Sequence, residues 1–127
     1  MQFLIDTHVL LWWDQGALKL AKRVRELIGD TDNEVFVSAA SVWEIAVKRR
    51  LRKLEFDGSV VAAISRNGFL PLDISAEDAE EAGGLEWTHP DPFDRLLVAQ
   101  SLRRQLTLVT ADGSIQAFGG LTLLKAR

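Results

Sequence analysis

Short, wholly apolar runs alternate along this chain with longer segments in which apolar residues recur every three or four positions. Phe3-Leu4-Ile5 is an uninterrupted apolar triplet, as expected of a strand buried on both faces. Thr7 to Trp13 reads as a short apolar helical turn. From Ala17 to Ile28, Leu20, Val24, Leu27 and Ile28 fall at helical spacing with Lys and Arg between them, and Gly29 supplies a stop. Val35-Phe36-Val37 predicts a second strand, leading into a helix from about Ala39 to Leu51. Val60 to Ile64 predicts another helix, ended near Asn67-Gly68. Phe69 to Leu72 is a short strand that Pro71 confines to a sheet edge. Ser75 to Ala82 starts as a helix should, with Ser75 as N-cap and Asp78 in the first turn. Pro92 to Arg104 is a strong helical pattern, and Leu106 to Val109 and Leu121 to Leu124 predict the last two strands.

Strands alternating with helices predict an α/β domain whose mainly parallel sheet is covered on both faces. The 127 residues contain no repeat, low-complexity tract or Pro/Gly-rich linker, so residues 1–127 read as a single domain with a real core. The absence of cysteine excludes disulfides and thiolate zinc sites, and two histidines are too few for a zinc cage. A cytoplasmic protein is expected. No apolar stretch approaches the roughly 18 residues of a spanning helix, and no basic segment precedes the first apolar residues, so neither a membrane segment nor a secretory signal is expected. The net charge of −3 argues at first against a nucleic-acid partner. The charge is unevenly spread, however. Lys48, Arg49, Arg50, Arg52 and Lys53 form a basic block, and Arg103 and Arg104 a smaller one. Acids gathered about a metal and bases along a substrate path would reconcile the sum with a nuclease.

Four acids carry the chemistry: Asp6, Glu44, Asp94 and Asp112. Each follows or opens an apolar segment, where strand gives way to helix or a helix begins. In an open parallel sheet the carboxyl ends of the strands face one edge, and ligands bind there. Four carboxylates at one edge would repel unless a cation sat among them, and magnesium or manganese prefers oxygen ligands. Each acid also has a plain structural reading. Asp6 and Asp112 suit N-caps. Ser41-Val42-Trp43-Glu44 matches a capping box, and Glu44 stands four residues before Lys48, the spacing of a helix-surface ion pair. In Asp91-Pro92-Phe93-Asp94-Arg95, Asp91 is the natural N-cap with Pro92 at the first helical position, which leaves Asp94 without a structural duty. His8 reads as a helix-surface or core-edge residue, and His89 as a loop residue. Trp12, Trp13, Trp43 and Trp87 are expected mostly in core or interface packing, with base stacking the minority reading. The block Lys48 to Lys53 reads first as a solvated helix end and second as a phosphate contact, with Lys48 as the substrate-binding candidate.

Four segments together resemble the PIN-domain proteins, and most closely the VapC-type toxins of bacterial toxin–antitoxin pairs. They are Asp6-Thr7-His8-Val9-Leu10-Leu11-Trp12-Trp13, Ser41-Val42-Trp43-Glu44-Ile45-Ala46-Val47-Lys48, Asp91-Pro92-Phe93-Asp94-Arg95-Leu96-Leu97-Val98-Ala99-Gln100 and Leu108-Val109-Thr110-Ala111-Asp112. The resemblance runs in order from about Leu4 to Leu124. It implies a three-layer α/β/α fold, Mg2+- or Mn2+-dependent endoribonuclease activity and inhibition by a cognate antitoxin, as a homodimer or a toxin–antitoxin hetero-oligomer. It maps the acidic residues onto Asp6, Glu44, Asp94 and Asp112, with Asp6 and Asp94 as metal ligands, and it places the Thr110 hydroxyl near the site. Two departures stand out. Thr88 precedes a single His89 where close relatives often carry two histidines, and Gly113-Ser114 follows the fourth acid where some add a fifth. Two other readings remain at this level: a non-catalytic PIN-like binding protein, and a phosphatase of the haloacid dehalogenase type. The phosphatase chemistry wants a second Asp where His8 stands.

Overall fold

A computed structural model describes residues 1–127. Along the chain run β1 (Gln2–Ile5), α1 (Thr7–Asp14), α2 (Lys22–Gly29), β2 (Glu34–Ser38), α3 (Ala39–Arg50) and α4 (Val60–Arg66). Then follow β3 (Leu70–Leu72), α5 (Ala76–Gly84), α6 (Pro92–Arg104), β4 (Thr107–Thr110), α7 (Gly113–Gln116) and β5 (Leu123–Lys125). The strands form one sheet in the order β3-β2-β1-β4-β5, and every pairing is parallel. The apolar triplet predicted this. A strand with no polar position must be covered on both faces, and helical crossovers supply the cover.

Strand geometry sends successive side chains to opposite faces and so divides the core in two. Phe3, Ile5, Val35, Val37 and Val109 face one way, where they meet Val9 and Leu10 of α1, Val24 and Ile28 of α2, and Ile64 of α4. Leu4 and Leu108 face the other way, onto Leu97 and Val98 of α6 and Ile115 of α7. Helix, sheet and helix layers result, as expected. No helix is long and apolar enough to cross a membrane.

Three predicted elements are corrected. The helix expected from Ala17 begins only at Lys22, because Gly16 (φ 103°) and Ala17 (φ 63°) turn the chain back after α1. Leu20 still reaches the core, but from that turn. Apolar spacing reports which residues are buried, not which backbone carries them. The short helix α7 was not anticipated. Four residues hold too little periodicity to register. The capping box at Ser41 is absent: Ser38 caps α3 by accepting from the Ala40 N–H, and Ser41 lies buried inside the helix. Pro71 does stand on an edge strand, as its missing N–H requires.

Candidate metal centre and active site

Strand order reverses direction at β1. The chain proceeds outward through β2 and β3, then returns to lay β4 on the opposite side of β1. The crevice at such a switch point opens at the carboxyl ends of the strands. Asp6 follows β1 there, and Asp112 follows β4. Both line a cleft of about 210 Å³ together with His8, Trp12 and Ala111.

Thr110 ties the two acids together. Its hydroxyl donates to Asp6 Oδ2 at 2.5 Å and accepts from the Asp112 N–H at 2.9 Å. Asp6 is buried, and its hydrogen-bond donors are that hydroxyl and the Val9 N–H at 2.9 Å. Burial therefore raises the Asp6 pKa above the ordinary carboxylate value; the Thr110 and Val9 bonds oppose this, and nearby Asp112 reinforces it. Thr7 links the next acid. Its hydroxyl donates to Glu44 Oε1 at 2.6 Å and lies 2.9 Å from Ser41 Oγ. Glu44 Oε2 accepts from Lys48 Nζ at 2.5 Å, the i,i+4 pair that spacing predicted. Glu44 is thus buried one and a half turns into α3, not at its start.

Asp94 sits in the first turn of α6, which Asp91 caps through the Phe93 and Asp94 N–H groups at 2.9 and 3.0 Å. Its Oδ2 meets His89 Nε2 at 2.8 Å. Burial pushes its pKa up to about 6, against the His89 bond, and Asp91, Asp112 and Glu44 push it further in the same direction. Asp112 is thus felt by both Asp6 and Asp94. The same acids favour the charged form of Lys48: the Glu44 bond, with Asp91 and Asp94 beyond it, raises its pKa.

Capping and metal binding turn out not to compete. Asp6 and Asp112 each spend Oδ1 on a helix N-terminus, at Val9 and Ile115, which leaves the second oxygen for other partners. The donor set suits a hard divalent cation, since Asp6 and Asp112 share one cleft, Asp94 feels Asp112 and Glu44, and Lys48 alone among the ammonium and guanidinium groups pairs with one of these acids. Distances add a constraint. His89, Asp91 and Asp94 are the one group of three whose ligand atoms lie within 4.8 Å of one another; no three of the four predicted acids approach so closely.

Two residues matter more than their sequence context suggested. His89, read as a loop residue, is one, but it also orients Asp94. Arg95 holds that loop: its guanidinium donates to the carbonyls of Ala82, Leu85, Trp87 and His89 at 2.6 to 3.1 Å. The smaller basic block lies elsewhere. Arg103 and Arg104 pair with buried Asp78, not with the crevice.

The fold and site define a three-layer α/β/α domain with an acidic crevice at its switch point. A family model of the PIN domain matches residues 3–121, and the chain belongs to that family. Ribonuclease VapC22 of Mycobacterium tuberculosis (strain ATCC 25618 / H37Rv) is 26% identical over 117 residues, covering 90% of this chain and 89% of that protein. The crystal structure of VapBC2 from Rickettsia felis bound to a promoter DNA fragment contains a chain matched with a TM-score of 0.70 and 16% identity, over 100% of both chains. A toxin–antitoxin complex from Klebsiella pneumoniae contains another, with a TM-score of 0.65 and 19% identity, over 97% of this chain and 96% of that one. Both structures share the fold.

Proposed function

We propose that the chain is a metal-dependent endoribonuclease and the toxin of a toxin–antitoxin pair. The observation that carries this reading is that Asp6 and Asp112, tied together by Thr110, share a cleft at the sheet's switch point, with Asp112 and Glu44 close enough to Asp94 to raise its pKa. The ribonuclease name of its mycobacterial relative and the toxin–antitoxin assembly of its structural neighbour support it. Asp6 and Asp94 would hold Mg2+ or Mn2+, with Asp112 completing or orienting the ligand set and Glu44 positioning water or binding a second ion. The cation would activate water for in-line attack on phosphorus and neutralise charge building on the phosphoryl oxygens. The chain's own groups hold this arrangement in register. Thr110 fixes the Asp6 carboxylate, His89 fixes Asp94, and Thr7 with Lys48 fixes Glu44. Lys48, paired with Glu44, would meet a phosphate oxygen. Water adds to phosphorus and the P–O3′ bond breaks, leaving 5′-phosphate and 3′-hydroxyl ends.

A partner fits the same crevice. Trp12 is half-buried on α1 and lines the cleft beside Asp6, and Leu18, past the end of that helix, is exposed. Trp13 instead packs on Phe69, with ring centroids 6.0 Å apart. An antitoxin would lay an apolar segment across Trp12 and Leu18 and send an arginine toward Asp6 and Asp94, since a guanidinium binds carboxylates in pairs.

The test is cleavage of RNA in Mn2+ or Mg2+ by wild type, Asp94→Asn and Asp91→Asn. Asp94→Asn should lose at least about a hundredfold in rate, whereas Asp91→Asn should stay near wild type because Asn also caps well. Equal losses would refute the division of roles. Expressing the chain alone and with its neighbouring reading frame tests the toxin half: growth arrest should occur only without the partner.

A further inference from the structure

Trp12 lines the cleft that holds Asp6 and Asp112, and two cations from distant parts of the chain converge on its ring. Lys19 Nζ lies 6.0 Å from the indole centroid, and the Arg127 guanidinium carbon lies 5.7 Å from it. Lys19 comes from the turn between α1 and α2, and Arg127 from just past β5. Backbone bonds seat both segments at the carboxyl edge of the sheet. The Ala126 N–H donates to the Thr110 carbonyl at 2.9 Å, and the Ala126 carbonyl accepts from the Ala21 N–H at 2.9 Å. Thr110 is the residue whose hydroxyl bonds Asp6. The two cations are therefore placed by the same residues that frame the cleft.

Several other cations are already engaged by acids. Lys48 pairs with Glu44, Arg66 with Asp14, and Arg103 and Arg104 with Asp78. Lys19 and Arg127 are exposed and form no ion pair. Tryptophan is the aromatic that best attracts a cation over its face, so the ring restrains two long, flexible side chains. His8 also leans on the ring, with centroids 6.2 Å apart. The indole is thus flanked by charge, which suits a phosphate better than a base. A nucleic acid entering the cleft meets Asp6 and Asp112, which repel its backbone. Unpaired cations at the rim offset that repulsion and draw the strand in.

We propose that Lys19 and Arg127, gathered on Trp12, form a phosphate clamp that binds the RNA backbone beside the scissile phosphate. This rests on the ribonuclease reading and deepens it, by assigning one side of the substrate path. The contact is with the backbone, so it supplies affinity and register but no sequence preference. An antitoxin crossing Trp12 would cover the same cations, so partner and substrate would compete for them.

Steady-state cleavage of a single-stranded oligoribonucleotide in Mn2+, at several salt concentrations, tests the clamp. Lys19→Gln and Arg127→Gln should each raise KM about three- to tenfold and change kcat by less than about twofold. The double variant should flatten the slope of log KM against log salt by about 1.4, since each single-strand phosphate contact contributes about 0.7. Trp12→Leu should raise KM in wild type yet add less than about twofold to the double variant, because the ring acts through the cations. Lys22→Gln, the same loss of charge on an amine that pairs with Glu26, should keep the wild-type KM. If wild type cleaves and the double variant keeps both KM and salt slope, the clamp is refuted and the nuclease reading stands. If Lys22→Gln raises KM as much, overall charge is responsible and the clamp is refuted. A full further loss from Trp12→Leu in the double variant would make the ring itself the contact and overturn the proposal. If wild type neither binds nor cleaves RNA, both readings fall. If the double variant keeps its KM but binds antitoxin less tightly, the cations serve the partner and the proposal is overturned.

Discussion

Asp94 shows what a crevice of carboxylates costs the folded protein. Its pKa is raised by burial and by neighbouring acids, so its charged form is less stable in the folded state than in the unfolded chain. Between pH 4 and pH 6 the folded state binds more protons than the unfolded state. Without metal, this residue's contribution to stability therefore declines as pH rises through about 6. Asp94→Asn should stabilise the metal-free protein at pH 7 by about 1–3 kcal/mol, the upper end reduced by partial solvation, and by much less near pH 4. Melts of the two proteins at both pH values check this. A wild type as stable as the variant at pH 7 would show that the acids do not repel as described. At this scale the sequence was informative about Asp6 and Asp112, because an acid directly after a buried strand has few places to go. It was silent about His89, since nothing in Thr88-His89-Pro90 announces a partner five residues on.

Two helix ends illustrate how local rules meet tertiary demands. Ser75 and Asp78 form the capping box that sequence predicted, but Asp78 also lies fully buried beneath α6. Burial alone would raise its pKa; the Ser75 N–H, Gln100, Arg103 and Arg104 together hold it below the ordinary value. Its contribution is present above the unfolded-state pKa and is lost as pH falls below about 4. Asp78→Ala should cost about 2–3 kcal/mol at pH 7, less at low pH, as read by denaturant unfolding. Gln100 extends the network to Ser38, the cap of α3, with Ser38 Oγ donating to Gln100 Oε1 at 2.5 Å. The helices that carry Asp94 and Glu44 are thereby held together at the carboxyl edge of the sheet. Just past the other end of α3, Arg52 holds a left-handed backbone (φ 57°), so Arg52→Gly should relieve that strain and stabilise the protein by about 0.5–1 kcal/mol. A destabilised Arg52→Gly would mean that the arginine packs more productively than its exposure indicates.

At the scale of the molecule, the proposed metal would be coupled to the fold. A cation that binds only the folded crevice stabilises it by mass action, by about 2.7 kcal/mol at a hundred times its dissociation constant. Saturating Mn2+ should therefore raise the melting temperature of wild type by several degrees and leave Asp6→Asn and Asp94→Asn nearly unmoved. Identical shifts in all three proteins would place the ion elsewhere. His89 deserves inclusion in the same series, because its bond to Asp94 is made within the one compact ligand grouping. His89→Ala should weaken the metal response without abolishing it.

The sequence alone determined the alternation of strand and helix, the all-covered parallel sheet, the cap at Asp91 and the position of Asp6 and Asp112 just after buried strands. These follow from patterns spanning a few residues, where burial and hydrogen-bonding needs are written locally. Tertiary structure decided the rest. It moved Glu44 from a helix start to a buried site inside α3, where Thr7, from 37 residues away, reaches its carboxylate. It joined Asp6 to Thr110 across 104 residues, and it drew Arg103 and Arg104 to Asp78 and away from any substrate path. Such partners meet because sheet order and helix packing place them together, and no local pattern encodes which distant groups a fold will bring within hydrogen-bonding reach.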